Sequence, residues 1–171
     1  RVQYYSRGYA IDAIQYDGAT VVQGSGGGSF IQSDSAIIDR AEILRGATGM
    51  LRGAGNPSGT VNLVRKRPMD RYQLKFEASA GSWDNYRTEA DVSGPLTDSG
   101  NVRGRAVAAY QDRQSYIDRY SNQSSVFYGI LEADLTPDTL LTVGADYQDN
   151  RPQGSTWSGS FPLYNYAGEI N

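Results

Sequence analysis

The sequence predicts a small mixed unit followed by a run of antiparallel strands long enough to cross a bilayer. Three observations carry that prediction. The chain changes character near Pro68, from short apolar runs joined by glycine-rich connections to long alternating segments. Five consecutive segments after Pro68 then share one apolar/polar alternation. Each runs for about 9 to 11 residues, the length a tilted transmembrane strand needs, whereas strands of water-soluble proteins run to about 5 or 6.

Taken in order, Gln3 to Tyr9 and Ala13 to Tyr16 read as short strands, the second closed by the turn signal Asp17-Gly18. Gly24 to Ser29 is composed of Gly and Ser alone and reads as a loop. Ala41 to Arg45 is a strand, Ala47 to Leu51 a helical turn, and Gly59 to Val64 a strand that leads into the basic triplet Arg65-Lys66-Arg67.

Beyond Pro68 the two faces separate cleanly. Tyr72, Leu74, Phe76, Ala78 and Ala80 oppose Gln73, Lys75, Glu77, Ser79 and Gly81. Tyr86, Thr88, Ala90, Val92 and Gly94 oppose Arg87, Glu89, Asp91 and Ser93; Val102, Gly104, Ala106, Ala108 and Tyr110 oppose Arg103, Arg105, Val107, Ala109 and Gln111. Phe127 to Leu135 and Leu141 to Tyr147 continue the pattern. A soluble β-sandwich alternates too, with its apolar face inward, so the period alone does not decide the environment.

The connections and the aromatics favour a membrane. Pro95 to Asn101 and Thr136 to Asp138 are compact turns, whereas Asp112 to Ser125 and the stretch after Asn150 are long and polar, as expected of periplasmic turns and extracellular loops. Tyr86, Tyr110, Phe127 and Tyr147 stand on the apolar faces toward the long-loop side, where an interfacial girdle belongs. The competing explanation is that Tyr is simply a good strand former. Five strands cannot close a barrel, since the smallest have about 8 and an open edge in lipid leaves backbone groups unpaired. The chain is therefore expected to be a piece of a longer one.

Composition narrows the chemistry. Among 171 residues there is no Cys and no His, which removes thiolate chemistry, the commonest general base and the commonest transition-metal ligands. A net charge of −3, with one short basic triplet, offers no field for nucleic acid. No 18-residue apolar run marks a transmembrane helix. Gly53 to Gly59 is not a phosphate loop, because no Gly-Lys-Ser/Thr follows and Pro57 stands where a helix would begin. A glycosidase would need two convergent carboxylates, and acids alternating along strands single out no pair. No catalytic residue, resident cofactor or metal site is expected.

Ile38-Asp39-Arg40-Ala41-Glu42-Ile43-Leu44-Arg45-Gly46, followed by Gly53 to Pro68, closely resembles the plug of TonB-dependent outer-membrane siderophore receptors. Tyr5-Ser6-Arg7-Gly8-Tyr9 and Asp17-Gly18 resemble earlier landmarks of that plug; Gly81-Ser82-Trp83, Ser93-Gly94-Pro95-Leu96 and Ile117-Asp118-Arg119-Tyr120 resemble the first barrel strands of the ferric-coprogen and ferripyoverdine branch. The resemblance covers essentially the whole chain, in order. It implies a mixed α/β plug followed by antiparallel transmembrane β-barrel strands, a fragment of a plugged outer-membrane barrel of about 22 strands. Residues 1–68 would be the C-terminal part of the plug and 69–171 the first five or so strands with the start of the third extracellular loop. The implied partners are a ferric siderophore, TonB through a segment outside this chain, and outer-membrane lipid. Iron would arrive inside its chelate, whose own oxygens satisfy a hard cation without protein ligands.

The resemblance also assigns roles. Arg7 and Arg45 are expected to lock plug to wall by pairing with carboxylates, with Glu42 a candidate partner, since a desolvated guanidinium is costly unpaired. Lys75, Glu77, Glu89, Asp91, Arg103 and Arg105 would be wetted wall or plug-docking charges. Siderophore contacts fall on Gln23 and Phe30 of the upper plug loop, on Arg52, and on Tyr116, Tyr120 and Trp157 of the extracellular loops. Arg52 is equally readable as a solvated turn residue, and exposed loop aromatics are also ordinary. The alternative to uptake is a receptor acting mainly as a siderophore-sensing signal transducer or as a docking point for phage or bacteriocin.

Overall fold

The computed structural model describes residues 5–6, 8–11, 14–21, 33–44, 59–116 and 119–154. Two-residue strands β1 (Tyr5–Ser6) and β2 (Tyr9–Ala10) pair around Gly8, which adopts a left-handed φ of 82°. Within the expected strand from Gln3 to Tyr9 the described residues thus pair as a tight hairpin, because a glycine free to take positive φ lets the chain reverse.

A mixed sheet follows. It comprises β3 (Ile14–Tyr16), β4 (Ala19–Val21), β5 (Ile38–Leu44) and β6 (Thr60–Arg65), in the order β4-β3-β6-β5. Asp17 and Gly18 both have positive φ, 49° and 83°, which gives the β3–β4 hairpin the turn its sequence signalled. β6 lies parallel to β3 and antiparallel to β5. Between β4 and β5 a short 3₁₀ turn at Ser35–Ile37 is capped by the Asp34 side chain, which accepts from the Ala36 N–H at 2.8 Å. The readings of Gly24–Ser29 as loop and Ala47–Leu51 as helical turn lie outside the described residues.

The large sheet is an antiparallel meander of β7 (Gln73–Gly81), β8 (Asn85–Pro95), β9 (Val102–Gln114), β10 (Ser121–Thr136) and β11 (Thr139–Gln153). All five expected strands are present. The last two are longer than expected: β10 and β11 stay in register from Ser121↔Gln153 down to Ala133↔Leu141. Most of the anticipated loop from Asp112 to Ser125 is therefore strand. Its polar residues still alternate, and cross-strand bonds such as Ser124 Oγ to Asn150 Oδ1 at 2.6 Å replace apolar packing there.

The large sheet is inverted relative to a soluble one. On the alternating-apolar face Leu74, Phe76, Phe127, Leu131, Val143 and Tyr147 are all at least half exposed. On the opposite, charge-bearing face Asp91, Ser93, Val107, Val126, Tyr128 and Glu132 are buried. Among the described residues the main buried cluster joins Ala36 and Ile37 of the 3₁₀ turn to Val107, Ala109, Val126, Tyr128 and Ile130. Tyr86, Tyr110, Phe127 and Tyr147 are exposed as expected, yet they do not share one register level. Phe127 faces Tyr147, Tyr110 faces Ser125 and Tyr86 faces Asp112, so the aromatics climb obliquely across the strands. Transmembrane strands tilt by about 35–45°, so a level rim crosses them obliquely. Among the described residues no helix is long and apolar enough to cross a membrane.

Candidate functional site

The buried face of the large sheet is banded. At one end the inward positions hold Arg87, Gln111, Ser124 and Asn150; the middle holds Val107, Ala109, Val126 and Tyr128; the other end holds Ser93, Arg105, Glu132 and Arg103. Period-2 alternation puts all of these on one face, and two segments of the preceding chain, residues 34–37 and 65–69, dock on it.

The basic triplet runs straight off β6 onto the charged band. Lys66 Nζ lies 2.9 Å from Asp91 Oδ2 and 3.4 Å from Glu89 Oε1. Arg67 Nη1 donates to Glu132 Oε1 at 2.8 Å, and Arg65 Nη1 reaches Asp146 Oδ1 at 3.3 Å. Backbone bonds reinforce these: Tyr128 Oη donates to the Lys66 carbonyl at 2.8 Å, Arg105 Nη1 to the Arg67 carbonyl at 2.9 Å, and the Met69 N–H to Ser93 Oγ at 2.8 Å. Asp91 also accepts both Nε and Nη2 of Arg105, so one carboxylate holds two cations, all three groups nearly out of solvent. Within the small sheet Arg65 bonds Asp17 through Nε at 2.7 Å and through its backbone N–H at 2.9 Å. Partial burial pushes the Asp17 carboxyl up, but those bonds and the Arg65 charge outweigh it and hold the group below the usual carboxylate range.

At the opposite end Asp34 is the clamp. Arg87 grips it with Nη2 to Oδ1 at 2.6 Å and Nη1 to Oδ2 at 2.9 Å, while the Asp34 N–H donates to Gln148 Oε1 at 3.0 Å. Burial pushes this carboxyl up as well; the Arg87 bonds, the Ala36 N–H and the Arg87 charge more than offset it, leaving the group below its ordinary value. Beside the clamp opens a polar recess of about 430 Å³, lined among others by Asp34, Arg87, Gln111, Arg113, Tyr120 and Asn150. Hydroxyls, amides and two arginines suit a hydrophilic ligand.

Of the residues singled out in the sequence, Tyr120 lines that recess. Tyr116 is 78% exposed, and its ring meets Trp83 edge-on at 6.3 Å. Glu42 accepts from Arg40 Nε at 2.9 Å and Asn62 Nδ2 at 3.0 Å; the Asn62 bond and then Arg40 hold its carboxyl below the usual range. Gln23, Phe30, Arg52, Trp157, Arg7 and Arg45 lie outside the described residues. Of the expected docking charges, Glu89, Asp91 and Arg105 do meet the incoming chain, whereas Arg103 pairs with Asp134 and Lys75 with Glu77 within the sheet. Sequence reasoning missed the triplet as an anchor, and missed Asp34 and Arg87. The triplet was findable: three cations precede strands whose inward positions alternate Glu89, Asp91 and Glu132. Among the described residues no group of three acidic side chains is placed to hold a metal ion.

No family model matches the chain. It is 59% identical to the ferripyoverdine receptor of Pseudomonas aeruginosa across 100% of its own length and 21% of that protein. The solved structure of the pyoverdine outer membrane receptor FpvA of P. aeruginosa PAO1 bound to pyoverdine superposes with a TM-score of 0.86 at 58% identity, over 99% of this chain and 25% of that one. The FpvAI–pyocin S2 complex gives a TM-score of 0.87 at 59% identity, over 99% and 22%. The chain thus spans about a fifth of the length of the curated relatives it matches. These relatives are outer-membrane receptors, and none is described as an enzyme. Over its whole length this chain is closely homologous to one segment of the ferripyoverdine receptors, which are TonB-dependent siderophore receptors of the outer membrane.

Proposed function

We propose that this chain is part of a receptor that takes up a ferric siderophore, of the ferripyoverdine class, across the bacterial outer membrane at the expense of TonB. Residues 1–68 form the later plug and 69–171 the first barrel strands and the start of an extracellular loop, within a barrel of about 22 strands. The single observation that carries this reading is the inversion of the large sheet: its apolar face is open, and its charged face is buried under the 3₁₀ turn and the segment of residues 65–69. That arrangement is unfavourable in water and suits a wall with lipid outside and a plug inside.

Gln23, Phe30, Arg52, Tyr116, Tyr120 and Trp157 are the proposed siderophore contacts, and Arg7, Arg45 and Glu42 belong to the plug–wall lock. The ferric ion travels as cargo inside its chelate, with no resident cofactor. The test is radiolabelled iron uptake by the full-length protein in an iron-starved host without other receptors, with ferripyoverdine, coprogen, ferrichrome and enterobactin as separate chelates. Uptake should follow ferripyoverdine alone and vanish when TonB is deleted; uptake independent of TonB would overturn the mechanism. Replacing Trp157 with Ala should weaken binding about fivefold, the worth of one stacking contact of about 1 kcal/mol.

The pyocin S2 complex of the homologue favours a second reading, a docking point for a bacteriocin. Sensitivity to pyocin S2 conferred on the host without any uptake of iron would select it.

A further inference from the structure

The open face of the large sheet is not uniformly ridged. Val92, Ala106, Gly129 and Ala145 form one row across four strands. The next row toward the Leu96–Asn101 turn is Gly94, Gly104, Leu131 and Val143. The Tyr72 ring covers Gly94, where a Cβ has no room, and a Cβ on Gly104 would lie 3.1 Å from both Leu96 and Leu131. Those two glycines are therefore already roofed. Gly129 is different: a Cβ there would meet nothing within 4 Å. Around it lies an apolar hollow of about 490 Å³ walled by Tyr72, Leu96, Leu131 and Val143. A second, of about 540 Å³, shares Gly129 and Ala106 and continues toward Phe127 and Tyr147.

Two charged residues precede Tyr72, which walls the first hollow. Asp70 and Arg71, immediately before Tyr72, are both exposed. Among the described residues neither forms an ion pair, with the other or with a third group. A neighbouring carboxylate and guanidinium match a headgroup that carries both an ammonium and a phosphate.

We propose that the trough seats one acyl chain of a zwitterionic phospholipid of the periplasmic leaflet, with its headgroup on Asp70 and Arg71. The proposal rests on the membrane reading above, which puts this face in lipid and the Leu96–Asn101 turn on the periplasmic side. Three features point to this occupant: the apolar lining, the continuity of the trough with the lipid face, and the two exposed, opposite charges that precede Tyr72. A flexible acyl chain conforms to such open hollows and gains dispersion contact along them.

The test uses the full-length receptor extracted from outer membranes and examined by native mass spectrometry, with phosphatidylethanolamine and phosphatidylglycerol as added lipids. Wild type should retain one phosphatidylethanolamine, and Gly129→Leu, whose Cβ meets nothing within 4 Å and whose side chain fills the floor, should lose it. Ala78→Leu, on the same face in β7 and outside the trough, should keep it. The double change Asp70→Asn and Arg71→Gln should abolish the preference for phosphatidylethanolamine over phosphatidylglycerol. Equal lipid retention by wild type and Gly129→Leu, with both still heat-modifiable on gels, would overturn the proposal alone. A dimer that Gly129→Leu dissolves would give the trough to a second copy and overturn it as well. Absence of the full-length protein from the outer-membrane fraction would overturn this proposal and the membrane reading together.

Discussion

The incoming chain is fastened to the large sheet at two places, by different physics. At Arg65 to Met69 the hold is polar: three cations and two backbone groups meet carboxylates and hydroxyls. At Asp34 to Ile37 the hold is mainly apolar, with Ala36 and Ile37 each 2% exposed and a single carboxylate clamp beside them. The charged anchor is costly to break one partner at a time, because the remaining ions stay buried without a counter-charge. The apolar anchor has no such interdependence and is insensitive to pH except through Asp34. One segment is thus held by an interdependent network of ions and the other by apolar packing with a single titratable clamp.

The sharpest way to break the contrast is Asp91→Ala. It leaves Arg105 without a carboxylate and Lys66 with Glu89 alone, and the expected loss is about 4 kcal/mol. The loss should be read from urea unfolding of the full-length protein in detergent micelles; an unchanged midpoint would show that the charged anchor does not hold the linker. Ile37→Ala at the apolar anchor should cost about 3 kcal/mol, within the range for emptying a buried isoleucine site, and should be equal at pH 7 and pH 4.

The Asp34 clamp gives the next effect. Its carboxyl is held below the ordinary value of about 3.9, so its contribution is fully present above that pH and is lost as pH falls through the lowered value of the folded state. Hydrogen exchange of the Ala36 amide should therefore quicken on acidification below about pH 4, after correction for intrinsic exchange, and Asp34→Asn should flatten the dependence. Protection that is the same across that window would remove the clamp from the account. The smallest expected effect is Tyr128→Phe, which deletes one hydrogen bond to the Lys66 carbonyl for about 1 kcal/mol. If it equals Asp91→Ala, the backbone bond rather than the ion network dominates.

Legibility followed the range of the interactions. Alternation is a property of neighbouring residues, and from it all five long strands and their two faces are readable. The Asp17-Gly18 hairpin is local too and was equally plain. Strand ends were less so: β10 and β11 continue through polar residues that signal loop when read singly, because cross-strand bonds sustain the pairing there. The anchors were the least visible. Asp34 meets Arg87 across 53 positions and Arg67 meets Glu132 across 65, and nothing near either residue in the chain marks its partner.

By itself the amino-acid sequence determined the periodicity, the chemistry it excludes through the absence of Cys and His, and the kinship with siderophore receptors. The connections and aromatics favoured an apolar face turned outward to lipid, but only the tertiary structure showed what buries the opposite face. Period-2 alternation puts apolar and charged side chains on opposite faces without saying which face meets solvent. Burial of the charged face becomes favourable when a second sheet delivers Lys66, Arg67 and Asp34 to matching partners. That matching is a property of two segments brought together in space, and neither segment encodes it alone.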